Sequence, residues 1–216
     1  MLESAFVLLG TEVSWLELAA FVLALGCVAL SVLEIHWGWP LAIASSLLYC
    51  RLFFEHRLYG DAGLQVFFAL IAAWGWWQWL FGSRGAHEGA GAGAGLRVAC
   101  LGRGRRLQLV LAWVLGWGAL GLLLDRATDT DVPWFDAFPT AGSVIGQVLL
   151  GRKFIENWSV WIVVNAVAAA LFAYKSLWLT AALYLLFIGL SVAGLLRWRR
   201  ELAARPRGIG DADPVR

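Results

Sequence analysis

One stretch of this chain is written twice. Residues Trp39–Trp79 lie over Trp158–Trp198 at a constant offset and without gaps. Trp39 falls on Trp158, Ile43 on Ile162, Leu52 and Phe53 on Leu171 and Phe172, and Leu58 on Leu177. Further on, Ala62 matches Ala181, Leu64 matches Leu183, Phe68 matches Phe187, Gly75 matches Gly194 and Trp79 matches Trp198. That makes 10 identities in 41 positions. Shared apolar composition inflates such a match, so the Trp and Gly anchors carry most of its weight. In a membrane protein, an internal repeat points to a transporter with its site between the repeats.

That the repeat is membrane-embedded follows from composition. Of 216 residues, 61% are hydrophobic and 15% charged, with a mean hydropathy of +0.72. Soluble domains average about 25% charged. Seven apolar segments are legible, near 15–33, 39–54, 60–81, 107–124, 136–151, 157–174 and 177–196. A helix needs roughly 20 apolar residues to cross the bilayer. The second and fifth segments contain Pro40 and Pro139, which predict a late start or a kink. The first residues carry two acids and no base, unlike a secretory leader. Cys27, Cys50 and Cys100 are scattered, which predicts neither a disulfide nor a metal site.

Basic residues set the orientation. The loops after segments three and five and the tail carry 13 Lys and Arg, and the opposite loops carry 4 (Arg51, Arg57, Arg126 and Lys175). The positive-inside rule then places the C-terminus in the cytoplasm and the N-terminus outside. Two three-helix units of the same orientation need an odd number of helices between them. The expected fold is therefore an all-α integral membrane protein with seven transmembrane helices in a 3+1+3 arrangement. Its two parallel three-helix repeats would be SWEET-like. The boundaries are an N-terminal extension 1–14, a first repeat 15–81 and a Gly/Ala-rich basic cytoplasmic loop 82–106. A linker helix 107–125, a second repeat 126–198 and a cytoplasmic tail 199–216 follow. The loop has no evident apolar face and reads as flexible.

Polar side chains within apolar helices are costly unless paired or wetted. Asn165 lies about 12 Å into its helix at 1.5 Å per residue. Trp158, Trp161 and Asn165, spaced i, i+3, i+7, form an aromatic-plus-amide face suited to a planar ring with a polar edge. The plainer alternative is an interhelical hydrogen bond from Asn165 and a place in the interfacial belt for Trp158. Gln147, and Gln65 with Trp76 on its face, are open to the same two readings. From spacing, the run Trp74–Trp79 reads first as an aromatic belt, and Glu156 reads as a helix N-terminal acid. No acid or lysine falls at mid-depth, and no nucleophile, metal or phosphate-binding motif is present. An enzyme is not expected, and no cofactor or nucleic-acid partner is implied. A receptor or scaffold would call for a partner-binding domain larger than the short basic tail.

The segments WPLAIASSLLY, FFEHRLYGDAGLQ and WGWWQW, then DAFPTAGSVIGQVLLGRKFIENWSVWIVVN and YKSLWLTAALYLLF, resemble the PnuC family of vitamin transporters. The resemblance runs from about Glu34 to Arg200. The ENWxxWxxxN and YGD–Q–GWWxW patterns are its most specific parts. It implies the 3+1+3 fold, a homotrimer in the cell inner membrane, and a substrate held midway by Trp and Asn/Gln side chains. By motif these are Gln147, Asn157, Trp158, Trp161 and Asn165, with Gln65, Trp76 and Trp79 from the first half. It further implies facilitated diffusion of nicotinamide riboside, which feeds NAD biosynthesis, with trapping by a cytoplasmic kinase. Thiamine, riboflavin or a nucleoside is the alternative cargo.

Overall fold

The structure is a computed structural model that describes residues 4–8, 11–55, 59–82, 96–127, 132–174 and 178–204. Among the described residues seven helices follow one another: α1 (Trp15–Val32), α2 (Gly38–Glu55), α3 (Tyr59–Phe81), α4 (Arg103–Ala127), α5 (Pro133–Gly151), α6 (Glu156–Tyr174) and α7 (Trp178–Ala204). The apolar segments locate all seven, and α7 runs eight residues past its expected end. One departure from an all-helical chain precedes them. Strands β1 (Ser4–Leu8) and β2 (Thr11–Ser14) form a short antiparallel hairpin within the expected extension. Among the described residues, four helices (α3, α4, α6 and α7) contain windows long and apolar enough to cross a membrane. α5 and α6 are the most enclosed, and in α5 Ala137, Ala141, Gly142, Gly146 and Gly151 form a buried small-residue face.

Both prolines fit their helices. Pro40 falls in the first turn of α2, where a missing N–H costs nothing. Pro139 lies inside α5, which continues through it. There Ser143 donates to the Pro139 carbonyl and Thr140 to that of Asp136, each at 2.8 Å.

Sequence neighbours pack as α1 on α2, α2 on α3, α4 on α5, α5 on α6 and α6 on α7; in addition α3 meets α5 and α1 meets α7. The repeat recurs in atomic detail. α1 ends in a Schellman motif, with Ile35 N–H donating to Leu30 O at 2.9 Å and Glu34 N–H to Ser31 O at 3.1 Å. α5 ends the same way, with Phe154 to Leu149 and Lys153 to Leu150, both at 2.9 Å. Glu34 and Lys153, 119 residues apart, hold the left-handed position of each motif, with φ of 59° and 50°. They are the non-glycine residues with positive φ among those described. Glycine is the usual occupant, and a side chain there costs about 1–2 kcal/mol.

The tryptophan packing repeats too. An added Cβ at Gly75 would run into the Trp39 ring, and one at Gly194 into the Trp158 ring. Each glycine lets α2 or α6 lay an indole against α3 or α7. Trp39 then meets Trp79 edge-on at 5.6 Å and 82°, and Trp158 meets Trp198 at 5.4 Å and 85°. Trp79 and Trp198 lie 6.4 Å apart, closing four indoles into one buried cluster.

The basic loop corrects one expectation. Residues 83–95 lie outside the described residues, but Leu96–Leu101 is not a free linker. Leu96 and Val98 are buried in the tryptophan cluster, and Leu101 in a second cluster around Leu149, Phe154 and Val164. Ala99 N–H donates to Lys153 O, and Ile155 N–H to Ala99 O, each at 3.0 Å, a short parallel bridge. The Gly/Ala run hid this alternating apolar stretch, LRVACL. Arg103, Arg105 and Arg106 are already helical, in the first turn of α4. Arg57, Arg84, Lys175 and the tail from 205 onward lie outside the described residues.

Candidate substrate site

The residues singled out from the sequence fall into two groups. The first lies on the α5–α6 seam. Trp161 is half-buried, and its indole lies on Gly146, where a Cβ would stand 3.0 Å from the ring. Gln147, next to Gly146, is also half-buried. Asn165 lies one turn further along α6 and is 6% exposed. Gly142 gives way to Val164 and to Trp113 of α4, so small residues on α5 are what admit bulk from both sides. Gln65 is half-buried on α3, the helix that also packs on α5.

The second group belongs to the four-indole cluster. Trp158 is fully buried against α7, Trp79 is buried, and Trp76 packs against the cluster's edge. Trp158 and Trp161 therefore serve different neighbours, although three-residue spacing puts them on adjoining faces. Asn157 is fully buried at the base of α6. Its Nδ2 donates to the Phe154 carbonyl at 2.6 Å, and its Oδ1 has no partner. The run Trp74–Trp79 divides: Trp77 is exposed, as a belt residue is, while Trp79 is core.

Glu156 departs from a simple helix-terminal acid. Its Oε1 accepts from Leu101 N–H at 2.9 Å, from Arg106 Nε at 3.0 Å and from Arg106 Nη2 at 2.8 Å. It thus ties the segment before α4 to the start of α6. Cys100 faces this pair, and its thiol is pushed above the usual range, first by desolvation and then by the Glu156 carboxylate, against the opposing Arg106 and Arg199.

Two features of this region were not singled out from the sequence. One is the ion pair of Lys153 with Glu34 at 3.1 Å. The other is the place of Trp39 and Trp198 in the indole cluster, where both rings meet Trp79. The repeat offset carries both signals, since it sets Glu34 opposite Lys153, but the aligned stretch began only at Trp39.

In chemical terms, the α5–α6 seam offers one indole face and two carboxamides, with no charged residue on α6 beyond Glu156. Such a wall stacks a planar ring and bonds its polar edge. It holds no group that could act as acid, base or nucleophile. Among the described residues, no cluster of His, Cys, Asp or Glu could hold a metal. Seven apolar helices with a few polar side chains set among them are the architecture of a multi-pass membrane protein.

Comparison with known proteins gives the family. Residues 14–200 match the model of the nicotinamide mononucleotide transporter family, so the chain belongs to that family, the PnuC family of membrane transporters. It is 27% identical over 207 residues to the riboflavin/roseoflavin transporter RibM of Streptomyces davaonensis, covering 94% of each chain. It is 24% identical over 223 residues to the nicotinamide riboside transporter PnuC of Escherichia coli, covering 92% of this chain and 90% of that one. The fold is also that of a solved structure, the crystal structure of the vitamin B3 transporter PnuC. The TM-score is 0.67 at 24% identity, over 88% of this chain and 82% of that one.

Proposed function

We propose that this protein carries nicotinamide riboside down its gradient across the cell inner membrane, and that a cytoplasmic kinase traps the product. The observation that carries the reading is Trp161 seated on Gly146, beside Gln147 and one turn from Asn165. An indole face attracts a planar cationic ring. The carboxamides of Gln147, Asn165 and Gln65 then serve the ribose and amide edge. Asn157, Trp158, Trp76 and Trp79 shape the end of the pathway. A phosphorylated product is excluded, because an amide-and-indole wall offers no countercharge.

The reading includes a 3+1+3 arrangement. α1–α3 and α5–α7 form parallel units joined by α4, with the C-terminus in the cytoplasm. The recurring caps and Trp–Gly contacts 119 residues apart support it, as does the reciprocal packing of α3 on α5 and α1 on α7. A homotrimer belongs to the same proposal. The strongly exposed aliphatic residues of α4, such as Leu107, Leu111 and Leu115, are available to lipid or to neighbouring copies.

A second cargo has specific support. The riboflavin/roseoflavin transporter is at least as similar in sequence as the nicotinamide riboside transporter. Uptake of labelled nicotinamide riboside into proteoliposomes, with unlabelled riboflavin and thiamine as competitors, decides between them. The primary reading requires saturable uptake that neither competitor blocks. Uptake of labelled riboflavin alone would replace it with a flavin transporter.

A further inference from the structure

The ion pair between Glu34 and Lys153 joins equivalent points of the two repeats, and we propose that it is an ionic latch that holds this end of the pathway closed and must break in each transport cycle. The inference rests on the transport reading above. Its geometry does not depend on which solute is carried.

Three observations carry it. First, Lys153 Nζ lies 3.1 Å from Glu34 Oε2, with both side chains largely enclosed, at 12% and 18% exposure. The same ammonium stands 4.4 Å from the centre of the Trp79 ring. The latch therefore fastens the end of α5 to the end of α1 and to α3 at once. Second, both residues hold left-handed positions where glycine is the ordinary choice. Strained backbone kept at two symmetric places, with opposite charges that meet, marks a functional constraint rather than a packing convenience. Third, the indole cluster alongside is tightly packed but polar-unsatisfied. The indole N–H groups of Trp39, Trp158 and Trp198 and the Asn157 Oδ1 are buried without partners. Buried polar groups of this kind are the ones that opening this end would hydrate. In transporters with internal repeats, the conformational step is movement of one repeat against the other, and this pair spans that boundary.

Glycine at both positions removes the charges while favouring the cap, so Glu34→Gly/Lys153→Gly is a variant expected to fold. Lys153→Glu sets two carboxylates against each other. The exchange Glu34→Lys/Lys153→Glu restores the ion pair but not the Lys–Trp79 contact, and so isolates the pair.

The first experiment needs no substrate. Backbone deuterium exchange is followed in the opening turns of α2 and α6, at Trp39–Ile43 and Trp158–Ile162. The glycine pair and Lys153→Glu should exchange about tenfold faster than the native protein, and the charge exchange should return to the native rate. Identical exchange in all four proteins would overturn the latch.

The second experiment asks whether opening is required. With Cys27, Cys50 and Cys100 changed to alanine, Glu34→Cys/Lys153→Cys is bridged by a short reductant-cleavable cross-linker. Transport of nicotinamide riboside or riboflavin, whichever the native protein carries, should fall at least about tenfold and recover on cleavage. Transport at the unbridged rate would overturn the proposal. If the native protein carries neither solute, the transport reading fails while the exchange experiment still decides the latch.

Discussion

The indole N–H of Trp79 donates to the Leu150 carbonyl at 3.0 Å and pins the end of α3 to the end of α5. Leu150 O also accepts from Lys153 N–H in the α5 cap, so one carbonyl serves both the helix end and the neighbouring helix. Trp79→Phe keeps most of the ring's volume and removes the donor. We expect a loss of about 1 kcal/mol. Trp79→Ala also opens a cavity within the indole cluster and should cost about 3–5 kcal/mol. Thermal unfolding in detergent measures both, and equal losses would show that the hydrogen bond, not the packing, is what matters.

Gly75 and Gly194 are needed for space. Alanine at either would push the Trp39 or Trp158 ring from its seat, and each change should cost about 1–3 kcal/mol. Gly63 and Gly189 have nothing within reach of an added Cβ. Alanine at these two helical positions should be neutral or stabilising by up to about 1 kcal/mol. Melting temperatures of the four single variants check the contrast.

At the proposed site, Trp161→Ala should weaken substrate binding by roughly 1–3 kcal/mol, the value of an aromatic stacking surface. Asn165→Leu should weaken it comparably by leaving the ligand's polar edge unpaired. Titration calorimetry on the purified protein measures both. Unchanged affinity in both variants would place the site elsewhere, with Gln65 and Trp76 the next residues to test.

Cys100 reports on the Glu156 anchor. Desolvation and the Glu156 carboxylate hold its thiol above the ordinary range, so less of it is thiolate near neutral pH than for a free cysteine. Glu156→Gln removes the carboxylate charge and loosens Arg106 and Leu101. The thiol should then ionise at lower pH, and its maleimide labelling at pH 7 should speed up. A slower rate would contradict this arrangement of charges.

The sequence made some of this legible and hid the rest for definite reasons. Helix number follows from runs of apolar residues, which any membrane-spanning helix requires, while α4 and α7 extend past those runs into their flanking arginines. Trp39 and Gly75 held the repeat in register because a large ring needs a glycine opposite it, and that requirement survives divergence. The docking of Leu96–Leu101 was not legible, since a six-residue apolar alternation beside a Gly/Ala run has no periodicity long enough to stand out. Trp158 and Trp161 read as one wall because spacing gives a helical face only to within about 60°. Their separate seats are set by Gly194 on α7 and Gly146 on α5, which helical spacing does not relate to either indole.

Passive movement through an uncharged site is checked by uptake under imposed gradients. Proteoliposomes containing only this protein are given labelled nicotinamide riboside, with the membrane potential held at zero. Internal substrate should rise to the external concentration and stop there, with or without a proton or sodium gradient. Enclosing a riboside kinase with ATP should then produce net accumulation of label. Substrate rising above the external level in kinase-free vesicles under a proton or sodium gradient would contradict the account, because it would require an ion-coupling group that the seam of Trp161, Gln147 and Asn165 does not contain.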